Sequence, residues 1–301
     1  MCMGRTVAAE SLSRIIVPAQ AGGAGDLLAR ILAEHLGLAG AGPILVENRP
    51  GAGTIVGTEA VIRATPDGRV VLMTGPFLLI ASHLRRLTVS PLSALEPICQ
   101  LVSSAGLILV RASSPIGSLA DLVQAARTGS SVTVAAAGPG TPHEIAFSLL
   151  GQRAGVRFNF VPFSGGAPAI TATLGGHVTA VLAEQAAVSD HIESGALRPL
   201  AVTTRTRLDS LAAVPTVAET YDGYEVDFWW GLFAPPKTPA ALSDRWEKLI
   251  SAALTDVRVR VRLHALGFSP ASVCGPAFGA FLRHQDELYG RSIRAENTKA
   301  P

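Results

Sequence analysis

Charged side chains are sparse in this chain, 16% of 301 residues with a net charge of +2. That balance supplies neither the basic stripe of a nucleic-acid binder nor an acidic solvating tail, so no nucleic-acid partner is expected. Lysine is nearly missing, 3 against 22 arginines, a lineage bias and not a site. The three cysteines, Cys2, Cys99 and Cys274, have an odd count and no C-x-x-C spacing. This excludes a metal knuckle and leaves at most one internal disulfide. The apolar setting of Cys99 predicts a buried thiol. No run reaches the roughly 18 apolar residues that span a bilayer. Met1 to Glu10 lacks a basic region followed by an apolar core, so no export signal is legible there and, on residues alone, the cytoplasm stays open.

Catalytic and nucleotide motifs are missing too. No Gly-Lys-Ser/Thr follows any glycine loop. Gly51-Ala52-Gly53-Thr54-Ile55-Val56-Gly57 looks like a dinucleotide fingerprint, but its third glycine comes one residue late and a four-residue break separates it from the strand before it. His143-Glu144-Ile145-Ala146-Phe147 begins like a zincin helix and then places Phe147 where a second histidine must bind the metal. Thr141-Pro142-His143-Glu144 reads instead as a capping box, with Thr141 as N-cap and Glu144 reaching back. There is no Gly-x-Ser-x-Gly elbow, and the seven histidines lack a matching Ser or Cys context. No catalytic residue, metal or cofactor is assigned on these grounds. The alternation Val257 to Arg262 reads as a solvated helix face, because Arg258 and Arg262 lie one helical turn apart.

What is present is a 48% hydrophobic chain, enough for two cores of about 100–150 residues each. Strand Arg14 to Pro18 runs through the glycine loop Ala21-Gly22-Gly23-Ala24-Gly25-Asp26 into a helix from Asp26 to Leu38, whose Leu27, Leu28, Ile31, Leu32 and Leu36 share a face. Strand Ile44 to Glu47 precedes a helix from Thr54 to Ala64, and strand Val70 to Met73 ends at Thr74-Gly75-Pro76-Phe77. Strands Ile98 to Val102 and Leu107 to Val110 follow, the second a crossing between lobes. After Ser118 the alternation restarts: helix Leu119 to Thr128, strand Ser131 to Ala135, loop Ala136 to Thr141, helix Pro142 to Gly151, strand Phe158 to Pro162, loop Phe163 to Ala167, helix Pro168 to Leu174. Strands Val178 to Leu182, Leu200 to Thr203 and Asp227 to Phe233, with a helix Ala186 to Ser194, lead to three closing helices. The pattern predicts mainly parallel sheets covered on both faces.

Each glycine loop opens a helix, where unpartnered N–H groups and the positive end of the macrodipole suit an anion. Chemistry needs tuned acids, bases or nucleophiles, whereas holding a carboxylate needs only oriented donors. The inventory favours binding.

Several segments resemble, in combination, the solute-binding receptors of tripartite tricarboxylate transporters, the Bug family, from about Arg14 to Asn297. They are Val17-Pro18 with Ala21-Gly22-Gly23 and Asp26; Val46-Glu47-Asn48-Arg49-Pro50-Gly51-Ala52-Gly53; Pro66-Asp67-Gly68; Val161-Pro162-Phe163 with Gly165 to Ala169; Leu174-Gly175-Gly176; Leu200 to Thr203; and Trp230-Gly231-Leu232-Phe233-Ala234-Pro235. The resemblance implies a two-lobed, type II periplasmic-binding-protein fold, each lobe a mainly parallel sheet flanked by helices. Lobe 1 would hold residues 1–106 and 229–301 and lobe 2 residues 107–228, hinged near 107–110 and 223–233. It implies a periplasmic, monomeric receptor that closes on a mono-, di- or tricarboxylate and hands it to membrane permease subunits. Matched by position, Ala21, Gly22, Gly23, Ala24, Gly25 and Asp26 form one jaw, and Ser164, Gly165, Gly166 and Ala167 the other. Thr74, Gly75, Phe77, Gly138, Gly140, Thr141 and Glu184 line the rest. Asp26 has two readings, a cap that pins its loop or a contact for an amine or hydroxyl. Departures from the family pattern at Ala19, Gly25, Ala136, Glu144 and Ser164 imply a roomier cleft with fewer hydroxyls. The alternatives are an enzyme acting on an organic acid through His143 or Glu144, and a sensor with no transport role.

Overall fold

The computed structural model describes residues 12–84, 90–129, 131–136, 141–163 and 165–297. Its first part comprises β1 (Ser13–Val17), α1 (Ala24–Leu36), β2 (Ile44–Asn48), α2 (Ile55–Ile62), β3 (Val70–Thr74), α3 (Phe77–Leu84) and α4 (Pro91–Ala94). A 16-residue strand, β4 (Glu96–Arg111), leads to α5 (Leu119–Arg127), β5 (Thr133–Ala136), α6 (Pro142–Ala154), β6 (Asn159–Pro162), α7 (Gly166–Leu174), β7 (Ala180–Glu184), α8 (Gln185–Glu193) and β8 (Leu197–Val202). The chain returns through β9 (Asp227–Ala234) and finishes with α9 (Ala240–Thr255), α10 (Val257–Ala265), β10 (Ser269–Cys274) and α11 (Gly275–Asn297).

These strands join into a single ten-stranded sheet of order β2-β1-β3-β9-β4-β7-β5-β6, with β8 and β10 also on β4. The two strands expected at Ile98 and at Leu107 are one. Residues 96–105 of β4 pair with β9, and Gly106 to Leu109 pair with β7. The ladders are parallel in the outer parts, β1 with β2 and β3, and β5 with β6 and β7. They are antiparallel wherever β4 and β9 take part. That mixture follows from connectivity: the β-α-β units make parallel neighbours, while a strand that leaves one half and one that returns to it run in opposite directions.

Alternating side chains sort onto the two faces. Ile15, Val17, Val71 and Met73 point to a core under α1, α9 and α10, with Leu28, Leu32, Trp246 and Ile250. Leu107, Leu109, Val181 and Ala183 point the same way in the other half, to a core under α7 and α8. Opposite them, Ile16, Leu72, Ile108, Val110, Val134 and Leu182 join one core that runs unbroken beneath both halves, closed by α3, α6 and α11. One face of the sheet therefore has a continuous core and the other has two separate ones.

The structure differs from the sequence reading at several points. Cys99 is not a free thiol but forms a disulfide with Cys274, 175 residues away, as directly opposed residues of β4 and β10. Nothing in the local pattern foretells β10, whose Pro270, bulge and positive φ at Ser272 mimic a loop. Leu27 is exposed, and the polar Asp26 takes the buried place beside it. Thr141 caps α6 by accepting from the Glu144 N–H. Thr216 and Glu219 form a reciprocal capping box. Val257 to Arg262 lies in α10, as its charge spacing predicts. No described helix is long and apolar enough to cross a membrane.

Candidate functional site

Strand direction brings the glycine loops together. β9 runs against both β3 and β4, so β1 and β3 run the same way as β4 and their carboxyl ends point toward its second half. β5, β6 and β7 run against β4, and their carboxyl ends point back. Thr74 stands level with Gln100 of β4, through Gly231, and Glu184 stands level with Gly106. The two sets of ends thus face each other across six residues of β4, about 20 Å at about 3.3 Å per residue. Helices that start at such ends aim their open N–H groups into the gap, the usual ligand position in α/β sheets. α1 and α7 do so on the face with divided cores, α3 and α6 on the other.

The first loop is held by one carboxylate. Oδ2 of Asp26, a side chain at the third position of α1 and only 2% exposed, accepts from Gly22 N at 2.8 Å and from Arg30 Nε at 3.0 Å. The Arg30 guanidinium, then the Gly22 amide and the Asn48 side chain, hold this carboxyl below its ordinary range despite burial. Asp26 therefore pins the loop from inside the helix, while Gly23 is the N-cap and provides no side-chain bond. Asn48 Nδ2 donates to the Ala19 carbonyl at 3.2 Å, and Arg49 N to that of Val17 at 2.8 Å. The Glu47–Gly53 segment thus buttresses the loop from the neighbouring strand. With the Gly22 N–H engaged, the donors left at this helix start are those of Ala24, Gly25 and Asp26, which precede the first helical bond, Leu27 N to Gly23 O.

Gly25 is buried against an aromatic ring. A Cβ placed on it would lie 2.3 Å and 2.4 Å from Cη2 and Cζ3 of Trp230, a half-buried residue of β9. The room expected from a missing side chain at position 25 is filled by indole. Gly75 answers a similar constraint, since its Cβ would stand 2.4 Å from the Trp229 carbonyl oxygen. Thr74 is buried, and Phe77, the first residue of α3, is half-buried.

Across the gap, Gly165 is the N-cap of α7 and offers no side-chain bond. Open space lies where side chains at Gly165 and Gly166 would project. Gly166 and Ala167 carry the N–H groups of this turn, because Pro168 has none. Gly138, Gly140 and Ser164 lie outside the described residues.

Two acids and a histidine border the gap. Glu184 ends β7 and is pushed up to about 7 by burial, partly offset by Ser104 of β4. Asp227, opposite Ala105, is raised to about 6 by burial and by Glu225. His143 packs on Phe228 with ring centroids 4.8 Å apart, is lowered to about 4 by burial, and leaves Nδ1 without a hydrogen-bond partner. That imidazole is neutral at physiological pH, and no described side chain orients it as a catalytic base.

Trp230, Phe228, Ser104 and Asp227 also border the gap, and no local signal marks them as doing so. Trp230 stands inside a recognised motif, but its contact with Gly25 joins residues 205 positions apart in the chain.

A family model described as tripartite tricarboxylate transporter family receptor matches residues 28–297. The solved structure of the periplasmic binding protein BugD is 29% identical, covers 94% of this chain and 97% of its own, and superposes with a TM-score of 0.80. Two proteins of Rhodopseudomonas palustris are also similar. Rpa4515 with adipate is 27% identical, covering 95% of this chain and 96% of its own, at a TM-score of 0.78. MatC with bound malate is 25% identical, covering 94% and 98%, at 0.77. The likeness makes this the two-lobed α/β fold of periplasmic binding proteins.

Proposed function

Because the chain belongs to the tripartite tricarboxylate transporter receptor family, we propose that it is an extracytoplasmic receptor that captures a small organic carboxylate between its halves and delivers it to membrane permease subunits. The opposed strand ends carry this reading: α1 and α7 begin on the same face of the sheet, and each presents backbone N–H groups with no side-chain cap. Charge-assisted hydrogen bonds of about 1.5–3 kcal/mol each suffice for a micromolar site after ordering costs. The adipate and malate in the two similar structures support the ligand class.

Residues 1–106 with 229–301 act as one lobe and 107–228 as the other, bending near 107–110 and 223–233. The exchange of partners along β4, from β9 at Ala105 to β7 at Gly106, supports that division. The receptor works as a monomer. The Cys99–Cys274 disulfide supports an oxidising compartment such as the periplasm. No turnover is expected of His143, whose buried Nδ1 has no hydrogen-bond partner and whose ring packs on Phe228.

A thermal-shift panel of mono-, di- and tricarboxylates tests the reading. At a hundredfold excess over Kd, the right acid adds about 2.7 kcal/mol, or roughly 5–10 °C. Calorimetry showing no binding with any acid of the panel overturns it.

A further inference from the structure

Buried polar residues gather around the Phe228 ring. Thr203, which meets that ring at Gly106, is fully engaged: its Oγ1 donates to the Val226 carbonyl at 2.7 Å and accepts from Gly106 N at 3.2 Å. Two others are not. Ser104, 3% exposed and directly opposite Phe228, has no partner for Oγ in hydrogen-bond geometry. His143, 9% exposed, lays its ring on Phe228 and leaves Nδ1 equally bare. Glu184, level with Gly106, brings its carboxyl beside Ser104 and is itself half-buried, so the group opens to the gap through it. The start of α1 is near. Trp230, on which Gly25 rests, opposes Val102, two residues and therefore about 7 Å from Ser104 along β4.

Buried side-chain atoms without a partner are rare and costly, and two beside a carboxyl at a ligand gap are matched by a polar group that enters. A carboxylate is repelled there by Glu184. It has better seats, on the helix-start N–H groups or at Arg205, exposed at the carboxyl end of β8, which faces the same gap. A hydroxyl, which donates once and accepts twice, fits all three residues. We propose that Ser104, His143 and Glu184 select a hydroxycarboxylate: its hydroxyl donates to the Glu184 carboxylate and accepts from Ser104 Oγ and His143 Nδ1, while its carboxylate sits on the helix-start N–H groups. The inference rests on the carboxylate-receptor reading above and narrows it. A pocket built to bond a hydroxyl rejects the analogue lacking it, because its own polar groups are then left unpaired.

The test is calorimetry on the full chain with three pairs of acids that differ by one hydroxyl: lactate and propionate, malate and succinate, citrate and tricarballylate. In each pair that binds, the hydroxy acid is expected to bind at least about tenfold more tightly, a difference of about 1.4 kcal/mol. Ser104→Ala and Glu184→Leu should each bring that ratio to within about threefold of unity. Because both members of a pair are measured on the same variant, a general loss of stability does not move the ratio. Equal binding of the two members by the wild type overturns the inference and leaves the receptor reading intact. So does a wild-type ratio that survives Ser104→Ala. Binding of none of the six acids overturns both. If Ser104→Ala fails to fold, the wild-type ratio and Glu184→Leu still decide.

Discussion

The indole of Trp230 occupies the volume in which a side chain at Gly25 would lie, with Cη2 2.3 Å from the Cβ position. Gly25→Ser therefore cannot restore a hydroxyl to the loop without expelling the ring. Overpacking of this kind costs about 1–3 kcal/mol, measurable by urea denaturation. Adding Trp230→Ala to Gly25→Ser should recover part of that loss, because the pair shares one space. An additive double variant would mean that the ring is not what Gly25 accommodates.

Asp26→Asn removes the charge that holds Gly22 and Arg30 together. The expected loss is about 2 kcal/mol at neutral pH. Since the folded pKa lies below that of the unfolded chain, the stabilisation is complete above the ordinary carboxylate range and disappears as pH falls through the lowered folded value. Denaturation curves of the two proteins should converge in acid.

Glu184 has the opposite sign. Raised from 4.5 to about 7, it binds its proton more tightly folded than unfolded, so its contribution falls as pH rises from about 4.5 to about 7 and is then constant. Glu184→Gln should raise Tm above that of the wild type at pH 8 by about 3 °C and leave it unaltered near pH 4.5. A constant difference at both pH values would show that the carboxyl is hydrated.

Reduction should release the Cys99–Cys274 link. An unfolded, unreduced chain has one titratable thiol, from Cys2, and a reduced one has three. Loss of a native bridge costs about 2–4 kcal/mol, so dithiothreitol should lower Tm and Cys99→Ala with Cys274→Ala should make Tm insensitive to it.

The alternation of strands and helices was legible because β-branched strands such as Ile15-Ile16-Val17 and glycine-punctuated helix starts are local signals. The first of the three closing helices is α9, Ala240–Thr255. The merging of two strands into β4 was not, because Ser103-Ser104-Ala105-Gly106 looks like a turn by composition and becomes a strand only when β9 supplies hydrogen-bond partners. Gly106 is tolerated there because its Cβ would lie 2.7 Å from the Phe228 ring and from Thr203 Oγ1, so close neighbours on other strands require its small size. The glycine loops could be read as helix starts. That Asp26 claims the Gly22 N–H, and that Trp230 fills the room beside Gly25, depends on rotamers and on chain segments far apart in sequence.

The path of β9 also governs the order in which the molecule can be built. Strands β5 to β8 and their partner segment on β4 lie within residues 96–202, a contiguous stretch that can pair as soon as it is available. The other half needs β9 between β3 and β4, and β10 on the far edge, from residues 227–274. During synthesis β1, β2 and β3 can pair early under α1, but β3 must wait for its second strand partner, β9, until most of the chain has emerged.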